Sequence, residues 1–217
     1  RDATIDFTEA NLANADLSDS TLTAEGYNGD ATIDFAKANL ANADLSDSAL
    51  TAESENNNRN SDGDATIDFT EANLANADLS DSTLTAEGYR EATIDFAKAN
   101  LTNADLSNAT LTAEGDDGDA TIDFTEANLA NAELSGSALT AKGYRDATID
   151  FTEANLANAD LSNATLTAEG FNYDATIDFT EANLANADLS GSALTIWGDN
   201  GDATIDFTEA NLTNADL

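Results

Sequence analysis

The sequence predicts an all-β protein, a single continuous parallel β-solenoid over residues 1–217. Three observations predict it. A unit of 27 or 28 residues recurs, placing Phe7, Phe35, Phe69, Phe96, Phe124, Phe151, Phe179 and Phe207 at steps of 28, 34, 27, 28, 27, 28 and 28. A fixed period in this range marks a solenoid or array. Inside each unit a large apolar residue falls every fifth position, as at Phe7, Leu12, Leu17 and Leu22. On either side of the connector, Leu22-Thr23-Ala24 and Ala31-Thr32-Ile33-Asp34-Phe35 alternate apolar and polar residues, which is the strand period.

The five-residue beat excludes a helix. Phe7, Leu12, Leu17 and Leu22 advance about 500° per step at ~100° per residue, so they leave any single helical face. The beat suits a coil with flat sides and a corner every five residues. The centre residue then points inward with the residue two before it: Ile5, Ala10, Ala15 and Ser20. After Leu22 the segment Thr23-Ala24-Glu25-Gly26-Tyr27-Asn28-Gly29-Asp30 leads into the next unit. Its Asn-Gly and Gly-Asp pairs read as a turn. Unit two carries one long insertion, Ser54 to Asp64, six or seven residues longer than its counterparts, and this reads as an exposed loop.

Stacking the units at ~4.8 Å predicts columns of like residues. The Phe7 series forms a column of eight rings, with the Ile5 series beside it and three Leu columns on the other sides. One coil cannot bury its apolar face alone, and stacking buries it for all. Outside, the Asn11 and Asn14 series form amide ladders suited to coil-to-coil hydrogen bonds. The Glu9 column reads Glu9, Lys37, Glu71, Lys98, Glu126, so opposite charges alternate at one-coil spacing. Beyond Glu126 the column is acidic at Glu153, Glu181 and Glu209.

The tandem Ala-Asn-Leu-x-x and Ala-Asp-Leu-x-x units resemble the pentapeptide-repeat family, as at Ala10-Asn11-Leu12, Ala15-Asp16-Leu17, Ala72-Asn73-Leu74 and Ala77-Asp78-Leu79. The resemblance covers about 20 residues of every unit and implies a right-handed quadrilateral β-helix with four pentapeptides per coil. This chain departs from that pattern by about eight extra connector residues per coil. Either a turn protrudes from one corner or one side is longer. About 7.5 coils result, roughly 35 Å long at ~4.8 Å each.

Composition narrows function. There is no Cys, His, Met or Pro. Without Cys there is no disulfide scaffold or thiolate metal site. Without His or Cys the commonest general base and the thiolate nucleophile are missing. The carboxylates form repeating columns in like environments, whereas a catalytic pair needs two unlike ones. No enzyme activity is expected. The net charge of -36 excludes a generic electrostatic grip on nucleic acid, and favours cations or basic partners. No apolar run reaches the ~20 residues of a membrane helix, so no membrane insertion is expected.

Calcium is the cofactor these residues raise. Asp6, Asp34, Asp68 and their successors share one outward column, and oxygen-only ligands suit Ca²⁺. The connectors Asp62-Gly63-Asp64, Asp116-Asp117-Gly118-Asp119 and Asp199-Asn200-Gly201-Asp202 look like short calcium turns. The most specific is Asn58-x-Asn60-x-Asp62-Gly63-Asp64 with Asp68 following, which looks like the first half of an EF-hand-type loop. It has Asn at its first position and Phe69 where the bidentate Glu would stand. The candidate metal ligands are therefore Asn58, Asn60, Asp62, Asp64, Asp68, Asp117, Asp119, Asp199 and Asp202.

Smaller signals complete the reading. Asn100, Asn108, Asn163 and Asn211 fit the glycosylation acceptor pattern, as chance allows in an Asn- and Thr-rich repeat. The Thr23 and Thr4 series form outward Thr ladders of the ice-binding kind, with acidic neighbours Asp6 and Glu25 against a flat uncharged face. Trp197 stands where the units usually carry Glu, and reads as a cap on a local apolar patch or a contact site. Both termini fall mid-unit without an atypical unit, as expected of a segment of a longer array or a processed product. The expected function is structural: self-association, axial or lateral, in an extracellular or cell-surface fibre, surface layer or adhesin stalk. The alternative is an acidic binding module. The resemblance implies it, because some pentapeptide-repeat proteins inhibit topoisomerases with a negatively charged, duplex-like rod.

Overall fold

The computed structural model describes residues 1–55 and 63–217. Each coil contributes two strands. In chain order they are β1 (Ala3–Asp6), β2 (Thr21–Tyr27), β3 (Ala31–Asp34), β4 (Ala49–Glu55), β5 (Ala65–Asp68), β6 (Thr83–Gly88), β7 (Ala92–Asp95) and β8 (Thr110–Gly115). They continue as β9 (Ala120–Asp123), β10 (Ala138–Gly143), β11 (Ala147–Asp150), β12 (Thr165–Gly170), β13 (Ala175–Asp178), β14 (Ala193–Gly198) and β15 (Ala203–Asp206). The odd strands form one eight-stranded sheet in sequence order, and the even strands a seven-stranded sheet. All pairs are parallel and join corresponding positions of the repeat, mostly like to like, as Ala3 with Ala31 and Leu139 with Leu166. The predicted solenoid and its register are therefore present.

Two further sides carry single bridges, the Asn11–Asn39 and Asp16–Asp44 columns. Tight turns make three corners: the amides of Ala10, Ala15 and Ser20 donate to the carbonyls of Phe7, Leu12 and Leu17 at 2.9, 2.9 and 3.2 Å. The third residue of each turn is left-handed, at φ 57° in Glu9, 59° in Asn14 and 54° in Asp19. That is the type II pattern, which favours Gly or Asn at this station. The second and third corners comply with Asn, Asp and Gly. The first uses Glu and Lys, so its charged column sits on strained backbone.

The fourth side is the long one. It runs straight to a Gly at its inner end, and a connector of three or four residues closes the corner. The space there is small: a Cβ on Gly26, Gly88 or Gly143 would lie 2.5 Å or less from the carbonyl oxygen of Asp30, Glu91 or Asp146 respectively. Only Gly fits such an approach. Among the seven units the exception is Ser54, and it precedes the long insertion. Its hydroxyl donates to the Gly29 carbonyl at 3.1 Å.

Inside, Phe35 through Phe179 are fully buried with the Ile33, Leu40, Leu45 and Leu50 series. Neighbouring Phe rings stack at 4.8–5.0 Å, within 10° of parallel. Outside, the Asn11 ladder is hydrogen-bonded coil to coil, for example Asn73 Nδ2 to Asn39 Oδ1 at 3.1 Å. It is interrupted where Thr102 takes the amide of Asn128 at 2.8 Å. The Asn14 ladder is continuous from Asn14 to Asn214. The charged column also holds: Lys37 approaches Glu71 at 4.0 Å and Lys98 approaches Glu126 at 3.5 Å. These pairs are half-exposed, so each contributes ~0–1 kcal/mol. Lys98→Glu should lower the melting temperature slightly, and added salt should shrink the loss. A loss that is large or indifferent to salt would contradict this surface assignment.

Candidate binding surface

Two outward carboxylate columns are parts of the fold. In the first, the Oδ1 of each Asp accepts the amide two residues on: Asp6 from Thr8 at 2.8 Å, Asp68 from Thr70 at 2.7 Å, Asp206 from Thr208 at 2.7 Å. This is an Asx turn that sets the first corner. In the second, the last connector residue accepts the amide of its counterpart one coil on. Asp30 accepts Asp64 at 3.1 Å, Asp146 accepts Asp174 at 2.9 Å, and Asp174 accepts Asp202 at 2.8 Å. Sequence reasoning missed this second role. The signal was an acidic residue before every Ala-Thr-Ile-Asp.

The predicted metal ligands divide accordingly. Asn58, Asn60 and Asp62 lie outside the described residues. Asp64 accepts the Glu91 amide at 3.2 Å, Asp119 accepts the Asp146 amide at 3.3 Å, and Asp68 belongs to the Asx column. Asp117 and Asp199 are exposed on separate connectors, and the Asp202 amide donates to Asp174. Among the described residues no three acidic side chains converge as a metal cluster.

The like-charged columns perturb titration mid-rod. Burial pushes the Asp95 carboxyl up, and Asp123 and Asp68 on the adjoining coils push it further against the Ala97 amide. Glu87 is raised by burial, then by Glu53, Glu114 and Asp116. At the ends, Asp6 and Asp206 are lowered by hydrogen bonds from Thr8 and Thr208, and Asp16 and Asp188 by Ser18 and Ser190. A raised acid favours folding once protonated, so Asp95 and Glu87 add stability as pH falls through their folded values. The lowered acids lose their contribution as pH falls through theirs. The melting temperature should therefore rise as pH falls through the raised values of Asp95 and Glu87, and fall again as pH drops below the ordinary carboxylate range. A curve that only falls from pH 7 downward would refute the mid-rod assignment.

The connector edge breaks the uniformity in the last coils. Lys142 stands in the Glu25 column and pairs with Glu114 at 2.5 Å, which raises the Lys142 ammonium. Trp197, in the same column, meets Phe171 edge to face at 5.2 Å and 87°. Tyr144, Phe171, Tyr173 and Trp197 remain 48, 36, 56 and 46% exposed. The Phe171 contact fits the predicted cap, while the half-exposed ring leaves a surface.

The pentapeptide repeats family model matches in eight copies, with residues 94–113 and 149–168 matched. These spans run from Ile94 to Ala113 and from Ile149 to Ala168, so each takes in three tight corners and stops before the connector. The chain is a pentapeptide-repeat protein. Among solved pentapeptide-repeat structures it is similar to HetL, involved in heterocyst differentiation regulation in the cyanobacterium Nostoc sp. strain PCC 7120. That likeness is 21% identical over 94% of this chain and 87% of that chain, at TM-score 0.21. It is also similar to full-length QnrB1, a plasmid-mediated fluoroquinolone resistance protein, at 16% identity over 86% and 94% of the two chains, TM-score 0.27. A pentapeptide repeat protein from the cyanobacterium Cyanothece 51142 is 17% identical over 81% and 87%, TM-score 0.25. No curated protein matches the sequence. The matched spans thus cover the cornered sides, and the glycine-closed connector lies outside them.

Proposed function

We propose that the chain is a non-catalytic structural rod, a segment of an extracellular or cell-surface fibre, surface layer or adhesin stalk. One observation carries this reading. Each coil offers the next the same strand at the same register, from β1 through β15. Strands repeated at one register are templates for further pairing of the same kind. A following coil, of the same chain or of another copy, would meet the surface that β15 meets on β13. Repulsion between rods of charge -36 opposes lateral contact, and Ca²⁺ shared between carboxylates of neighbouring rods would relieve it better than Mg²⁺, which gives up water reluctantly. The test is negative-stain imaging with calorimetry, at matched ionic strength with Ca²⁺, Mg²⁺ or chelator. Filaments and a higher melting temperature in Ca²⁺ are expected. Monodisperse short rods under every condition would overturn the fibre reading, and indifference to chelation would remove calcium from it.

A second reading rests on charge density. Seven ring-to-ring steps of 4.8–5.0 Å span roughly 34 Å, so the rod carries about one net negative charge per Å, against one per ~1.7 Å in duplex DNA. Such a polyanion suits the cationic groove of a DNA-binding protein such as a topoisomerase. Competition with duplex DNA for that enzyme distinguishes the two readings.

A further inference from the structure

Neighbouring connectors differ in length. Asp116-Asp117-Gly118-Asp119 and Phe171-Asn172-Tyr173-Asp174 have four residues, and Tyr144-Arg145-Asp146 between them has three. The short connector leaves a recess of about 470 Å³ on the outer edge, lined by Asp117, Tyr144, Arg145, Asn172, Tyr173 and Asn200. Backbone bonds hold it in shape: Arg145 N donates to Gly118 O at 3.0 Å, and Asn172 N donates to Tyr144 O at 3.1 Å. The site is therefore formed before any ligand arrives.

We propose that this recess binds one ring of a neutral glycan. Two exposed Tyr rings present apolar faces with polar tips. Around them stand two planar amides, one carboxylate and one guanidinium, which supply donors and acceptors. A sugar ring has the matching pair of surfaces, a C–H face and a rim of hydroxyls that both donate and accept. The recess volume lies within the ~300–1,000 Å³ typical of small-ligand sites. A second hollow of about 370 Å³ shares Tyr144 and adds Phe171, so the edge continues for a second ring of the same glycan.

Charge selects the ligand class. The field of a chain at -36 repels anions. A cationic peptide would meet the Arg145 guanidinium in the recess; Lys142 beside it is already paired with Glu114, and Asp117, Glu114 and Asp116 line the same two hollows. Arg145 pairs with no carboxylate among the described residues, so its guanidinium is open to a ligand's hydroxyls and adverse to a ligand's ammonium. The two hollows thus present both signs of charge, and a polyhydroxyl ligand, which donates and accepts at every hydroxyl, can use both.

The proposal stands apart from the fibre reading, since a rod that forms no filaments still presents the recess. The test is titration calorimetry on the full chain with the β-1,4-linked hexamers of glucose and of N-acetylglucosamine, with hexalysine and an oligogalacturonate as charged comparators. Saturable binding of a neutral hexamer is expected. Tyr173→Ala and Asn200→Ala should each weaken it at least about tenfold. Tyr27→Ala, an exposed ring at the other end, should leave it unchanged. All three positions are exposed, so unaltered melting curves will separate lost binding from lost folding. No saturable heat from either neutral hexamer, binding of hexalysine alone, or equal binding by Tyr173→Ala would each overturn the proposal.

Discussion

Replacing Phe124 with Ala is expected to cost about 3–5 kcal/mol, the range for emptying a buried aromatic site. Phe124 is fully buried and stacked between Phe96 at 5.0 Å and Phe151 at 4.9 Å. Its neighbours are held by in-register strands on both sheets, so the hole cannot collapse. Each coil is stabilised by the coils beside it, and the loss should therefore reach beyond one coil and lower the melting temperature of the whole array. Glu126→Ala, two residues away on the outer face, removes only a half-exposed ion pair with Lys98, worth ~0–1 kcal/mol. Thermal melts of the two variants under one buffer make the comparison. Equal effects would contradict the inward assignment of the Phe column.

Gly143→Ala should be nearly as damaging despite adding one methyl group. Its Cβ would lie 2.2 Å from the Asp146 carbonyl oxygen and 3.1 Å from the Ala120 amide nitrogen. Both are backbone atoms in paired segments, so neither can swing aside as a side chain would. Overpacking of this kind costs about 1–3 kcal/mol, and more where backbone must move. Ser54→Gly is the converse, and should be neutral or stabilising, because it restores the residue that the other six units use. If Gly143→Ala melts like the wild type, the corner is not closed as described.

The inward columns and the strand register were legible because a period of five and a period of 27 or 28 both leave marks in a single sequence. Phe7, Leu12 and Leu17 repeat too regularly for any helix, and the Glu9–Lys37 alternation independently marks neighbouring coils. The geometry of the fourth corner was not legible. Gly26 read as a turn residue, whereas its role is close approach across the corner. The structural roles of the carboxylates were hidden for the same reason: Asp6 and Asp30 differ in partner, one capping its own turn and the other the next coil, and a sequence shows only that both are acidic. The recess at Tyr144 depends on a one-residue difference between adjacent connectors, and becomes a shape only when three coils are stacked.

The pairing of corresponding repeat positions in every strand also has a consequence for inheritance and for folding. A chain whose floors are interchangeable can lose or gain one without redesign. Excising residues 120–146 would join Asp119 to Ala147, the same Asp-Ala junction that opens most other coils. The same symmetry leaves nascent coils free to pair one floor out of step, since the interior contacts are alike. Among the unlike positions, Lys37, Lys98, Lys142 and Trp197 then act as floor numbers. They are the only side chains in their columns that tell a growing stack which storey it has reached.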